Sequence, residues 1–234
     1  RARARRERVH RTVMATRFYL PVSGTPGSSP TVDANWERQI AAFARYPMPR
    51  TKSNSALATY SAAFGATTTT QTLWMQWVSD TLNVNQAISG TMSMVIGKCA
   101  ETSLSGDAHL AFSARVMQGD TSSLRGTLLL FHATSTEFPL IASAATRIHS
   151  ARAITTVNAL AGDRIVMEIG IHGVTPANET MQLRFGDPTA AADFALTAAL
   201  TTDLCPWWEL SATLTFGAPA SATSPGWMGA HGWR

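Results

Sequence analysis

The chain has 234 residues, of which 45% are hydrophobic, 15% charged and 8% aromatic, and its formal net charge is +4. This composition excludes a solvated disordered chain, and the sequence has no apolar run of the roughly 18 residues that a membrane-spanning helix needs. Two cysteines are too few for a disulfide-stapled miniprotein or a four-thiolate zinc site.

The positive charge is concentrated at the N-terminus. Residues 1–17 hold seven arginines and one acid, a charge of +6, whereas the other 217 residues hold 12 basic and 14 acidic side chains, a charge of −2. We expect residues 1–13 to form a basic arm or extension that contacts an acidic partner or, weakly, nucleic acid through counterion release. The arginines concerned are Arg1, Arg3, Arg5, Arg6, Arg8 and Arg11. The alternatives are a solvated run of like charge, or an extension or processed leader upstream of Met14, which opens a segment typical of a translation start.

Residues 14–72 are predicted to form an extended segment with one short helix, packed on the domain that follows. Residues 22–32 are rich in Gly, Ser, Pro and Thr, which is typical of a loop. Residues 33–45 (DANWERQIAAFAR) predict the helix, because three apolar side chains recur there at helical spacing: Trp36, Ile40 and Phe43. The four consecutive threonines at 67–70 favour extended backbone.

Alternating hydrophobicity dominates residues 73–216. Successive side chains of a strand face opposite sides of a sheet, so each alternating segment indicates one buried and one wetter face. About eight such segments, separated by turns rich in Gly, Asp, Pro and Asn, predict an antiparallel β-sandwich. A parallel α/β fold would need helices between the strands, and only residues 189–200 resemble one. The predicted fold class is therefore all-β, with irregular N- and C-terminal arms.

No segment carries a recognised catalytic or metal-binding motif. The six histidines form no metal-type pair, and whether Cys99 pairs with Cys205 stays open. Recurrent Gly-Asp pairs are typical of hairpin turns, although Asp-rich loops can also hold Ca²⁺. We expect no cofactor, no metal and no enzymatic activity. A hydrolase stays an alternative if distant carboxylates assemble in space; the candidates are Glu101, Glu137, Glu168, Glu179 and Glu209.

Seven tryptophans are the compositional feature that most suggests binding. Trp207 and Trp208 are adjacent in a predicted strand and must face opposite sides of it. Trp208 shares the parity of the apolar positions and is predicted in the core, which leaves Trp207 outward. Trp74 is likewise predicted outward. An outward tryptophan can stack on a sugar or fill a subunit interface, and the alternative is burial under a loop.

The C-terminal residues 217–234 show no hydrophobic period. They consist mostly of Gly, Ala, Ser and Pro, with Trp227 and Trp233 among them. Such a composition is typical of a disordered tail, whereas two tryptophans favour docking onto a neighbouring subunit.

Four segments resemble uncharacterised virion proteins of tailed bacteriophages: residues 14–21 (MATRFYLP), 162–170 (GDRIVMEIG), 183–188 (LRFGDP) and 206–211 (PWWELS). The similarity spans residues 14–216, and its motifs are turns and strand ends. The resemblance implies a jelly-roll-like β-sandwich, located in the virion, that decorates a capsid or forms part of a tail. It implies partners that are further copies of the chain and other virion proteins, no membrane, and no catalytic residues. The alternative function is a carbohydrate-binding or receptor-binding module that uses exposed tryptophans.

Overall fold

A computed structural model describes the chain at residues 15–64, 67–103, 107–119, 123–175, 179–196 and 203–217. In these residues the regular structure is thirteen strands and one short 3-10 turn at Ile141–Ser143. The strands are β1 (Thr16–Tyr19), β2 (Arg38–Met48), β3 (Ala58–Phe64), β4 (Thr67–Ser79), β5 (Gln86–Ile88), β6 (Thr91–Glu101), β7 (His109–Met117), β8 (Leu124–Glu137), β9 (Ala145–Ala153), β10 (Val157–Ala159), β11 (Arg164–Thr175), β12 (Glu179–Phe185) and β13 (Trp207–Leu210).

The strands form two main sheets. One sheet has the order β2-β4-β11-β7-β8, and the other has the order β1-β13-β6-β12-β3, with β9 on the opposite edge of β6. A short β5-β10 ribbon accompanies them, and beside it the Thr155 N–H donates to the Leu128 carbonyl of β8 at 2.8 Å. All named pairs are antiparallel except β2 with β4. The prediction of an all-β sandwich is confirmed.

The core lies between the two sheets and is rich in aromatic rings. Phe18 of β1 stacks on Trp208 of β13 with ring centroids 4.7 Å apart, and Trp77 of β4 meets Phe185 of β12 edge-on at 4.8 Å. All four side chains are fully buried. Because burial of one large apolar side chain stabilises by roughly 1.5–3 kcal/mol, this apolar interior holds the sheets together.

The helix predicted at residues 33–45 is wrong. Residues 33–36 form a turn, closed by the Trp36 N–H on the Asp33 carbonyl at 3.1 Å, and β2 begins at Arg38. Between Gln39 and Ala44 the register of β2 against β4 shifts, so β2 bulges there. The bulge places apolar residues three positions apart on a strand, which imitates helical spacing in the sequence.

The N-terminal segment is an integral part of both sheets. β1 and β3 lie in one sheet and β2 in the other, and the predicted boundary between residues 72 and 73 falls inside β4. Pro47 lies within β2, where the edge position tolerates a residue without an N–H. The described part of the chain contains no helix with the length and hydropathy needed to cross a bilayer.

Candidate functional site

Trp207, predicted to be exposed, is buried. Only 2% of its surface is accessible, because the segment before β13 folds over it and the Trp207 Nε1–H donates to the Phe194 carbonyl at 2.7 Å. The Arg17 guanidinium covers the other side, 3.9 Å from the ring centroid. The parity argument correctly placed Trp208 in the core, but it could not foresee a second apolar layer on the outer face of the sheet.

Trp74 is also buried, for a different reason. On β11, Ile169 pairs with Met75 and Gly170 pairs with Leu73, so Trp74 is the extra residue of a β-bulge. The bulge turns its ring into the same core as Met75 and leaves it fully inaccessible. The remaining predicted contact residues lie outside the described residues: Trp227, Trp233, Arg1, Arg3, Arg5, Arg6, Arg8 and Arg11.

Glu168 of β11 is the centre of a buried polar network beneath residues 31–36. Its carboxylate is fully buried and accepts hydrogen bonds from the Asp33 N–H at 3.2 Å and from Arg115 Nη2 at 2.7 Å. Three further donors complete the set: Trp36 Nε1 at 2.9 Å, Gln76 Nε2 at 2.7 Å and Ser113 Oγ at 3.1 Å. Since protein donors occupy the carboxylate, this network anchors the N-terminal loop to the sheet.

A second group of carboxyls lies where β6 and β8 end and β12 begins. Glu101 is fully buried, and its burial, together with the negative charges of Glu137 and Glu179, raises the pKa of Glu101 to about 8. Glu179 is 2% exposed. A glycosidase needs two carboxyls that face a sugar in an open cleft, so the burial of these two glutamates gives the hydrolase alternative no support.

The cleft between β8 and β9 brings together the polar side chains that are best placed for binding. β8 and β9 are edge strands of different sheets. His132 of β8 pairs across the ladder with Phe112, and His149 of β9 pairs with Met94. Phe112 and Met94 both belong to the core, so the two imidazoles face each other at the margin of the sandwich, with ring centroids 5.1 Å apart. The Phe112 ring meets both imidazoles edge-on, at 5.4 and 5.0 Å.

A β-bulge in β9 adds Arg152 to this cleft. Residues three apart in a regular strand face opposite sides. Here, however, Met92 pairs with Arg152 while Met94 pairs with His149, so β9 holds one extra residue and both side chains lie on one face. Ala151 adopts the left-handed backbone conformation (φ 50°) at the bulge, and its N–H donates to Ser93 Oγ at 3.0 Å. The bulge thus re-aims Arg152 toward the two histidines.

The cleft encloses a cavity of about 310 Å³. Its polar lining comes from both strands: His132, Thr134, Ser135, Thr136, His149 and Arg152. A neighbouring cavity of about 330 Å³ shares His149 and Arg152 with it. Within the described residues, His149 Nε2 and Thr134 Oγ1 are buried and have no hydrogen-bond partner. No acidic residue of the described chain lines either cavity.

The electrostatics of the cleft are set by burial and by Arg152. Burial, together with the charges of His132 and Arg152, lowers the pKa of His149 to about 4. Burial and the charge of Arg152 also lower the pKa of His132. Both imidazoles are therefore neutral at pH 7, and Arg152 supplies the positive charge. In the part of the chain that is described, no three His, Cys, Asp or Glu side chains are placed to share a metal ion, and both cysteines are buried free thiols.

Sequence reasoning missed this cleft. His132 and His149 are 17 positions apart and belong to no motif, and the parity of β9 would send Arg152 to the opposite face from His149. Only the sheet order and the bulge register bring the three together. No known family model, curated protein or solved structure matches the chain.

Proposed function

We propose that this protein is a non-enzymatic structural subunit of a bacteriophage virion, which decorates a capsid or forms part of a tail through subunit–subunit assembly. The proposal rests on the resemblance of its turn and strand-end motifs to phage virion proteins and on the edge strand β8. In this proposal the sandwich is jelly-roll-like, and the terminal arms at residues 1–13 and 217–234 lie across neighbouring subunits or packaged nucleic acid.

The observation that carries the proposal is the exposed apolar surface of the edge strand β8, which the chain covers only in part, through the Thr155 N–H that donates to the Leu128 carbonyl at 2.8 Å. This strand has 14 residues and ends the five-stranded sheet. Leu130 is 71% exposed and Leu124 is 50% exposed, and the exposed Leu140 and Ile141 follow the strand. Its only charged side chains, Arg125 and Glu137, lie near its ends, and it contains no lysine or proline.

Soluble monomers usually blunt such an edge with charge, proline or a covering segment. On β8 the covering contact from Thr155 is local, and a long apolar edge that is covered only in part can pair with another strand, since exposed apolar surface of this kind marks interfaces. We therefore infer that β8 pairs with a second copy of the chain. Antiparallel pairing of β8 with β8 of a second copy gives a two-fold symmetric dimer, and two-fold symmetry is the commonest among homo-oligomers.

Sedimentation velocity of the full chain tests this inference. Wild-type protein should form concentration-dependent oligomers, and Leu130→Lys should weaken their association at least about tenfold, the equivalent of roughly 1.4 kcal/mol. Val84→Lys is the matched control, since Val84 is an aliphatic residue that is 45% exposed outside β8. A wild-type protein that stays monomeric at all concentrations, or equal association of the three proteins, would contradict the proposal.

The alternative function, glycan or receptor binding by tryptophan stacking, loses the two tryptophans that were predicted to face outward from strands. Trp74 and Trp207 are buried and cannot stack on a ligand without unfolding of the segments that cover them.

A further inference from the structure

We propose that the cleft between β8 and β9 is a binding site for a small tetrahedral oxyanion of the phosphate or sulfate class. Three nitrogen-bearing side chains converge on it: His132, His149 and Arg152. Thr134 and Ser135 add hydroxyl donors from β8. Arginine, imidazole and hydroxyl groups are the donors with which proteins hold oxyanions.

The cleft carries a positive charge that no neighbouring acid among the described residues balances. Arg152 has an exposed side chain, whereas three arginines that are buried or half-buried in the described chain each have an acid partner: Arg115 pairs with Glu168, Arg125 with Asp163 and Arg184 with Asp203. No acid within the described residues pairs with Arg152, although it lies beside two imidazoles whose pKa it lowers. A bound anion would supply the missing negative charge.

Two residues that line the cavity carry unsatisfied polar atoms. A buried donor or acceptor without a partner costs about 1–3 kcal/mol, so such atoms usually indicate a water or an ion that completes their bonding. In the described chain, His149 Nε2 and Thr134 Oγ1 are two such buried atoms, and both belong to residues that line this cavity. The two residues lie on different strands, β9 and β8, so both strands bring polar groups to the cavity.

The size and the lining of the cavity also suit a small oxyanion. The cavity of about 310 Å³ has room for one oxyanion and several waters, since a water occupies about 30 Å³ in the liquid. A divalent metal does not fit this donor set, because only two imidazoles face the site and the Arg152 charge repels a cation. A large apolar ligand does not fit either, because six of the eight lining residues carry a polar side chain.

Binding should be coupled to proton uptake. The groups that face the imidazoles are Phe112 from β7, Met94 from β6, the hydroxyls of β8 and Arg152 of β9, and none of them is an acid. A dianion placed among them favours the imidazolium form, so the affinity should rise as the pH falls from 7 to 5.5.

Isothermal titration calorimetry of the full chain with sodium sulfate, with inorganic phosphate and with acetate tests the proposal. Sulfate gives the result that is easiest to interpret, because its charge does not change between pH 5.5 and 7. We expect saturable binding of sulfate and phosphate and much weaker binding of acetate. Comparison of buffers with different ionisation enthalpies should show that the protein takes up protons on binding. Arg152→Gln should bind sulfate at least tenfold more weakly than wild type. Phosphate without sulfate binding would identify the ligand as phosphate alone.

Two controls make the outcome specific. Arg50→Gln removes an exposed arginine elsewhere and should leave sulfate binding unchanged. Arg152→Lys keeps the charge and should bind more tightly than Arg152→Gln, and circular dichroism verifies that each variant folds. Absence of saturable binding at millimolar sulfate and phosphate, or equal binding by wild type and Arg152→Gln, would overturn the proposal. These results report anion binding, whereas sedimentation velocity reports assembly through β8, so failure of one proposal is distinguishable from failure of the other.

Discussion

Removal of the buried charge at Glu168 should lower the free energy of unfolding, and the contacts of this side chain allow the size of the loss to be worked out. Glu168→Gln keeps the shape of the side chain but replaces one acceptor oxygen with an NH₂ group. That group then faces donors, since five protein groups donate to this carboxylate. The change also removes the negative charge 2.7 Å from the Arg115 guanidinium, whose side chain is only 8% exposed.

The expected loss of stability is about 3 kcal/mol. Breaking a buried ion pair by removal of one partner costs roughly 3–5 kcal/mol. The lower end applies here, because glutamine retains one acceptor and the Asp33 carboxylate lies 3.6 Å from Arg115 Nε, where it can compensate in part. Against a total stability of about 5–15 kcal/mol, this loss is large.

Urea unfolding measures this loss directly. With a slope of about 3 kcal/mol per molar urea, the midpoint should fall by about 1 M. Hydrogen exchange should increase at residues 31–36, because the Asp33 N–H loses its acceptor. The matched control is Glu209→Gln at the half-exposed pair with Arg17, where about 0–1 kcal/mol is expected. A loss below about 1 kcal/mol in Glu168→Gln would refute the view that this network anchors the loop.

Two further predictions concern Glu101 and Gly170. Because burial raises the pKa of Glu101 to about 8 from an ordinary value of about 4.5, the folded state holds the proton more tightly, and this group makes the free energy of unfolding fall as the pH rises from 4.5 to 8. Glu101→Gln should remove that decline. Thermal unfolding of wild type and variant between pH 4.5 and 8 measures it, and an equal dependence of stability on pH in the two proteins would disprove the prediction. At Gly170, an added Cβ would lie 2.1 Å from the Thr72 carbonyl oxygen, so Gly170→Ala should destabilise by about 1–3 kcal/mol. Gly27→Ala, where the Cβ meets only the flexible end of Arg164, should cost less in the same urea assay, and equal losses would count against the packing argument.

The fold class was predictable from the two-residue period of hydrophobicity alone. Along β11 and β13 the alternation of apolar and polar residues matches the faces of the sheets, and Trp208 lies in the core as its parity requires. The pattern failed where a strand departs from regular pairing. The bulges at Trp74 and between Gln39 and Ala44 shift side chains to the other face, and a bulge depends on its partner strand, which sequence parity does not encode.

The candidate site was not predictable, because it depends on long-range order. The β8–β9 cleft forms because these two consecutive strands belong to different sheets, and Arg152 faces it because of the bulge at Ala151. A similar limit explains Trp207: a loop that precedes β13 covers the outer face, and no local pattern indicates where a loop will fold back.

The most direct test of the assembly account is electron cryomicroscopy of the oligomers that the full chain forms, at a resolution that traces the strands. The account predicts that β8 lies at the subunit boundary, with its outer edge hydrogen-bonded to a neighbouring copy and Leu130 covered. Oligomers whose boundaries leave β8 exposed to solvent, or preparations that contain only single subunits, would contradict it.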